Sequence, residues 1–250
     1  MSTDEAGNRR RPGGATGTVA LLAGLAAPAA AIGGAYLANT GRLLPYEGFR
    51  LFFLAGPLAL LATIASIVAL IRARGGRNRA AGAMGRVGMM FGVLTVAAVI
   101  GLVLPSADAP LINDITTDLE DPPAFVAANE LPANVGRDMS YPAGFADQQR
   151  ASYGHLGGKT VSQPPDVVFR QITEMLDRMD NVRIVDASPE DGRVEAEFVS
   201  TVFRFVDDVV IRVRAAERGS LVDVRSKSRD GKGDMGINAS RIESLLTVIN

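Results

Sequence analysis

The sequence predicts an α-helical membrane module of three transmembrane helices, followed by an α+β domain with a four-stranded antiparallel sheet and flanking helices. Three observations predict it. Uncharged apolar stretches at Thr18–Ala38, Leu51–Ile71 and Val87–Leu104 fill the first 105 residues, and none follows. Each reaches or approaches the ~20 residues that span a ~30 Å hydrocarbon core. Beyond residue 163, apolar residues recur first at helical spacing, then in four alternating runs, then at helical spacing again.

Charge divides at the same place. Residues 1–105 hold ten Arg against three acids, a net +7, whereas the remainder holds sixteen Lys or Arg against twenty-four Asp or Glu, a net −8. The formal total of −1 therefore conceals two oppositely charged parts. An acidic domain is a poor partner for nucleic acid, whose affinity comes from neutralised phosphates. The chain has no cysteine, which removes disulfides, thiolate chemistry and cysteine zinc sites.

Arginines flank the apolar stretches unevenly. Arg9, Arg10 and Arg11 precede the first, and Arg72, Arg74, Arg77, Arg79 and Arg86 surround the second connection. The first connection carries Arg42 and Arg50, and after the third stretch no basic residue appears before Arg137. Excess Lys and Arg marks the cytoplasmic side. The expectation is a multi-pass protein of the cytoplasmic (inner) membrane, with its N-terminus cytoplasmic and residues 106–250 periplasmic. The first stretch runs past the small residues Ala29–Ala31 to Ala38, which favours a retained helix over a cleaved signal peptide. No Asp, Glu, Lys, Arg or His lies inside the three stretches, which argues against a pump or channel. Ala26, Ala30, Gly34 and Ala38, and Gly88 with Gly92, have the spacing of close helix contacts. Packing within one bundle is the simpler reading, and oligomerisation through these faces is the other.

Residues 106–163 carry Pro110, Pro122, Pro123, Pro132 and Pro142 and read as a long irregular segment, with a short helix near Ala143–Ala151. Pro164 and Pro165 open a helix whose stripe is Val168, Ile172, Met175 and Met179. The strands are read at Val182–Ala187, from Val194 through Phe198 towards Phe205, at Val209–Val213 and at Val222–Val224. Turns are expected at Pro189–Gly192, Asp207–Asp208 and Glu217–Gly219. Apolar residues on one face and charged ones on the other predict a sheet solvated on its charged side. A last helix from about Asn238 to Val248 offers Ile242, Leu245 and Ile249, with Ser240 and Glu243 at capping-box spacing.

Chemistry is harder to read. Gly154–Thr160 imitates a phosphate loop, but Tyr153 stands where its first glycine belongs. His155, the only histidine, reads as a surface residue. Two polar clusters carry the candidate binding residues. The first is the acidic run with Asp114, Thr117, Asp118 and Asp121, able to ligate a hard cation or act as acid and base. The second is the basic, glycine-rich stretch from Arg225 with Arg229, Asp234, Asn238 and Arg241, which leads into a helix N-terminus suited to anions. The simplest account pairs Arg229 or Arg241 with the acidic run, closing the long segment onto the domain without a ligand. No cofactor or metal is expected.

Asp114-Ile115-Thr116-Thr117-Asp118 with Asp121-Pro122-Pro123, then Tyr141-Pro142, then Ser228-Arg229-x-Gly231-x-x-Asp234-x-Gly236-x-Asn238 and Arg241-Ile242 resemble the domain-of-unknown-function family 1499. The resemblance covers residues 106–249 and implies a shared fold and matched motif positions, without a mechanism. The function expected is a non-catalytic binding or assembly module of the cell envelope, in contact with the bilayer and with a membrane or envelope protein. The alternatives are a carboxylate-dependent envelope enzyme, with or without the assistance of a metal ion, and a lipid-handling domain with a pocket between sheet and last helix.

Overall fold

The computed structural model describes residues 14–74 and 78–249. The chain divides into two compact units, Met1–Pro105 and Ser106–Asn250. Arg9, Arg10, Arg11 and Arg77, on which the expected orientation partly rests, lie outside the described residues.

In the first unit, helices α1 (Gly14–Asn39), α2 (Pro45–Ala73) and α3 (Arg79–Val103) coincide with the three apolar stretches. All three are long and apolar enough to cross a membrane. Their burial is inverted relative to a water-soluble bundle. Ala20, Ala27, Ala55, Ala59 and Ala69 are fully buried, while Leu22, Ile32, Leu60 and Leu94 point outward. Small residues inside and large apolar ones outside suit helices that pack by close approach in lipid. A Cβ on Gly88 would stand 2.3 Å from the Ala20 carbonyl oxygen, and one on Gly34 would stand 2.4 Å from that of Gly48. Gly34, Ala38, Gly88 and Gly92 are thus taken up by packing inside the bundle, whereas Ala26 faces outward.

The second unit is built on an antiparallel sheet of β1 (Asp114–Thr116), β2 (Lys159–Val161), β3 (Val182–Ser188), β4 (Arg193–Val199), β5 (Val206–Ala215) and β6 (Ser220–Ser228). The order is β1-β6-β5-β4-β3, with β2 pairing the other end of β6 beside β1. The sheet has six strands rather than the four expected. The two extra ones are three residues long, too short to show alternation, and lie in the segment read as irregular. A short helix, α4 (Ala146–Tyr153), does stand where one was expected.

Helices α5 (Pro165–Asp177) and α6 (Ile237–Val248) cover one face. Val168, Phe169, Ile172 and Leu176 of α5 and Ile242 and Leu245 of α6 pack with Ile115, Val194, Phe198, Val209, Ile211 and Val224 in the main core. The box proposed for Ser240 and Glu243 does not form, because α6 starts earlier. Its first N–H groups are met instead by Asp234, whose carboxylate accepts from Gly236 N at 2.9 Å and Asn238 N at 2.8 Å. Gly219 turns β5 into β6 at φ 82°, and a Cβ there would stand 2.0 Å from the Val161 carbonyl oxygen.

Two further expectations change. Asp207 and Asp208 belong to β5, and the connection before it is Ser200–Phe205, with Arg204 at φ 64°. The charged face is also not solvated. Glu195 and Asp208 are 0% exposed and Arg225 is 2% exposed. Residues 117–141 lie over this face, and Phe125, Ala128, Met139 and Leu131 form a second small core on Val210. The sheet is therefore the middle of three layers. Alternating charge reads as a wet face only when no other segment supplies partners for it.

Candidate functional site

Register places the charged residues in rows across the sheet. Asp114, Lys227, Asp208, Glu197 and Arg183 are successive partners from β1 to β3. In the next row Thr116 meets Arg225, Arg225 meets Val210, and Val210 meets Glu195. Asp223 then faces Arg212, which faces Arg193. Like charges opposite one another, as Asp208 and Glu197 are, destabilise a sheet unless bridged. Arg229 bridges them, with Nε 3.0 Å from Asp208 and Nη2 2.6 Å from Glu197. Burial alone would lower the Arg229 pKa, but the two carboxylates outweigh it and hold it above the ordinary value.

The acidic run docks onto this face. Arg225 donates Nε to Asp114 Oδ1 at 2.9 Å and Nη2 to Oδ2 at 2.8 Å, and Lys227 reaches the same Oδ2 at 2.9 Å. Thr117 continues the β1 pairing: its N–H donates to Val224 O and its hydroxyl accepts from Val224 N, each at 2.9 Å. Asp118 and Asp121 meet Arg212 at 3.0 and 2.9 Å, and both also contact Arg214. Asp223 completes that cluster with Arg214 at 2.7 Å. Burial raises the Asp118 pKa. The Asp121 and Glu120 N–H groups and the two guanidiniums overcome this and leave it below the usual carboxylate value. Glu195 fastens the middle of the cover by accepting from Val126 N, Ala127 N and Ala128 N at 2.9, 3.1 and 2.8 Å.

The pairing expected between Arg229 or Arg241 and the acidic run is thus replaced by another. Arg212, Arg214, Arg225 and Lys227 serve the acidic run, while Arg229 serves Asp208 and Glu197. Arg241 lies on the opposite face of the sheet, 2.6 Å from Asp207. There Asn238, fully buried, accepts from Ser226 Oγ at 2.6 Å and Arg241 Nη1 at 2.8 Å and donates to Ser228 Oγ at 2.9 Å. Asp234 lies beside it. Burial raises its pKa more than the Asn238 and Gly236 N–H groups lower it.

The eight candidate residues therefore form two clusters on opposite sides of the sheet. Asp114, Thr117, Asp118, Asp121 and Arg229 lie on the covered charged face, and Asp234, Asn238 and Arg241 on the helical face. Asp118, Asp121 and Asp223 do converge, but around two guanidinium groups. Among the described residues, no three His, Cys, Asp or Glu side chains are disposed to hold a metal ion. Lys159 of the false phosphate loop donates to Leu246 O at 2.7 Å, and exposed His155 pairs with Glu243 at 2.6 Å.

Above the charged layer the cover leaves an open cleft of about 770 Å³, whose walls include Pro122, Phe125, Arg137, Asp138, Tyr141 and Arg225. The Arg225 guanidinium lies over the rings of Phe125 and Tyr141, at 4.8 and 5.6 Å from their centroids. Tyr141 donates to the buried Gln149 at 3.0 Å. Burial, reinforced by the Asp114 charge, pushes the Tyr141 phenol up to about 12. A smaller apolar hollow of about 250 Å³ lies between α5 and Val248–Ile249.

A family model described as "Protein of unknown function (DUF1499)" matches residues 114–249. The chain belongs to this family. No curated protein and no solved structure matches the chain significantly. The DUF1499 match begins at Asp114, the first residue of β1, and ends at Ile249, the last core residue of the second unit. It includes both clusters and the whole cleft, and leaves the three helices outside.

Strand parity was the signal for the missed partners. Arg225, Lys227 and Arg229 alternate onto one face with Asp208, whereas Asp207 must face the other way, toward Arg241. Phe125 and Arg137 had no such signal, because they sit in irregular chain.

Proposed function

We propose that this DUF1499 protein is a membrane-anchored, non-catalytic binding module of the cell envelope, and that the cleft above Arg225 is its binding site. Helices α1–α3 hold it in the cytoplasmic membrane. The arginine excess before α1 and between α2 and α3 supports a cytoplasmic N-terminus and an extracytoplasmic second unit.

One observation carries the binding reading. The carboxylates best placed for acid–base work, Asp114, Asp118 and Asp121, are each taken up by arginine or lysine. A carboxylate held that way has its oxygens engaged by fixed cations, and the layer it belongs to makes a fixed floor. Concave, partly apolar sites with a few fixed polar groups are where small molecules bind, in the range of about 300–1,000 Å³. The lipid-handling alternative has less support, because the hollow beside α5 is small and the larger cleft has a charged floor.

Native mass spectrometry of the full-length protein in detergent tests the reading. A co-purifying mass on the wild type, absent from Ala124→Phe, is the expected result. Ala124 is exposed and lines the cleft, so the phenyl group occupies the space without disturbing the core. A bound mass that persists in the variant contradicts the cleft as the site.

A further inference from the structure

We propose that the cleft takes a small organic oxyanion, a carboxylate or phosphate carried on a flat apolar body. Its head group meets Arg137 and Arg225, and its body lies against Phe125 and Tyr141. The inference rests on the reading of the cleft as the binding site and adds the chemistry of the ligand.

Charge decides the sign. Arg225 and Lys227 share the single carboxylate of Asp114. Arg137 donates to Asn134 Oδ1 at 3.0 Å and to the Ser228 carbonyl at 3.1 Å, and among the described residues it has no carboxylate partner. The acid at the rim is Asp138, occupied by Ser140 N at 2.9 Å and Ser140 Oγ at 2.6 Å. On the neighbouring strand, Asp208 faces Lys227 and is held with Glu197 by Arg229, and Glu195 two strands away pairs with Arg193. Arg137 is thus a cation of the cleft wall that holds no carboxylate among the described residues, and an added anion meets it without displacing one.

A guanidinium has five N–H donors. Arg225 uses one Nε and one Nη2 proton on Asp114, the other Nη2 proton on Met139 O and one Nη1 proton on Pro123 O. Its second Nη1 proton has no acceptor among the described residues. Arg225 is 2% exposed, so an anion brought to it is attracted in a medium of low dielectric. Its four existing bonds also hold it in place, which removes the ordering cost of recruiting a mobile arginine. Phe125 and Tyr141, whose rings stack on the Arg225 guanidinium, line the same cleft and give the body apolar surface beside the head group.

Naphthoate, naphthyl phosphate and neutral naphthylmethanol test this on full-length protein in detergent. The chain has no tryptophan, so naphthyl fluorescence reports binding directly. The expected result is at least one anion binding about tenfold more tightly than the alcohol, as charge-assisted contacts would give. The stronger of the two anions identifies the head group. Arg137→Gln reduces anion affinity several-fold while leaving alcohol binding and the thermal transition in place. Equal binding of all three probes, or anion binding indifferent to Arg137→Gln, overturns the oxyanion and leaves the cleft reading standing. If no probe binds the wild type, the oxyanion is likewise overturned, and the mass-spectrometric comparison with Ala124→Phe decides the cleft separately.

Discussion

Asp114 and Arg225 meet through two parallel hydrogen bonds of 2.9 and 2.8 Å, with neither side chain more than 2% exposed. Removing one member of such a pair leaves a buried charge without its partner, at a cost of about 3–5 kcal/mol. Asp114→Ala leaves both Arg225 and Lys227 uncompensated. A loss of that size, read from thermal unfolding by circular dichroism, is expected. Adding Lys227→Met to Asp114→Ala recovers part of it, because one unpaired cation is then gone. An unchanged transition in Asp114→Ala contradicts the buried pair.

Asp118 gives the fold a pH dependence with a definite sign. Its folded pKa lies below the ordinary aspartate value of 3.8, so the folded state binds its proton less readily than the unfolded chain. The contribution is present above the unfolded pKa and is lost as pH falls through the folded one. Acid titration of stability therefore shows a steeper fall below about pH 4 in the wild type than in Asp118→Asn. Parallel acid limbs would remove this carboxylate from the account.

Tyr141 gives the opposite limb. Its phenol is raised to about 12 by burial and by Asp114, so the folded state keeps the proton that the unfolded chain loses near its ordinary value of 10.0. Stability from this group is complete below the unfolded pKa and is lost as pH rises between the two values. Alkaline phenolate absorbance of wild type minus Tyr141→Phe should show a component titrating close to 12. A component titrating at the ordinary tyrosine value would mean that the cleft wall is wetter than described.

Gly88 tests the helix packing. A side chain there meets the Ala20 carbonyl at 2.3 Å, so Gly88→Val forces α1 and α3 apart. Loss of the thermal transition in detergent is expected for Gly88→Val but not for Gly101→Val, where a Cβ meets nothing within 4 Å. Similar behaviour of the two variants contradicts the close crossing.

Orientation is open to direct labelling because the chain has no cysteine. A single cysteine at exposed Ser140 should react with a membrane-impermeant maleimide on intact cells. One at exposed Arg74 should react only after lysis. The reverse pattern overturns the extracytoplasmic placement.

Much of the fold was legible in the sequence, and particular residues show where legibility stops. Val168 and Ile172 at helical spacing, and Val194, Ala196 and Phe198 in alternation, are signals carried within one element. They predicted α5 and β4. Asp114–Thr116 and Lys159–Val161 have no such internal pattern, and become strands only because the edge of β6 is there to pair with them. The acidic run was read as fastening the long segment through Arg229 or Arg241, whereas its partners Arg212 and Arg214 depend on register between distant strands. Asp207 and Asp208 make the point most compactly. Read as a turn, they are neighbours in sequence with opposite fates, one buried beneath α6 with Arg241 and the other beneath the cover with Arg229. Five of the eight candidate residues lie in the charged layer and three on the opposite face of the sheet, and the cleft beside that layer is walled by Phe125, Arg137 and Tyr141. These side chains are brought together by irregular chain that no periodicity describes.

Everything proposed for the cleft requires residues 117–141 to be packed on the charged face. Amide hydrogen exchange at Val126, Ala127 and Ala128 tests this most directly, because all three N–H groups are bound by the buried Glu195 carboxylate. These three amides should exchange as slowly as the central residues of β5, and Glu195→Ala should release them. Exchange as fast as in an unstructured chain would show that no cover exists, and with it neither the closed ionic layer nor the cleft.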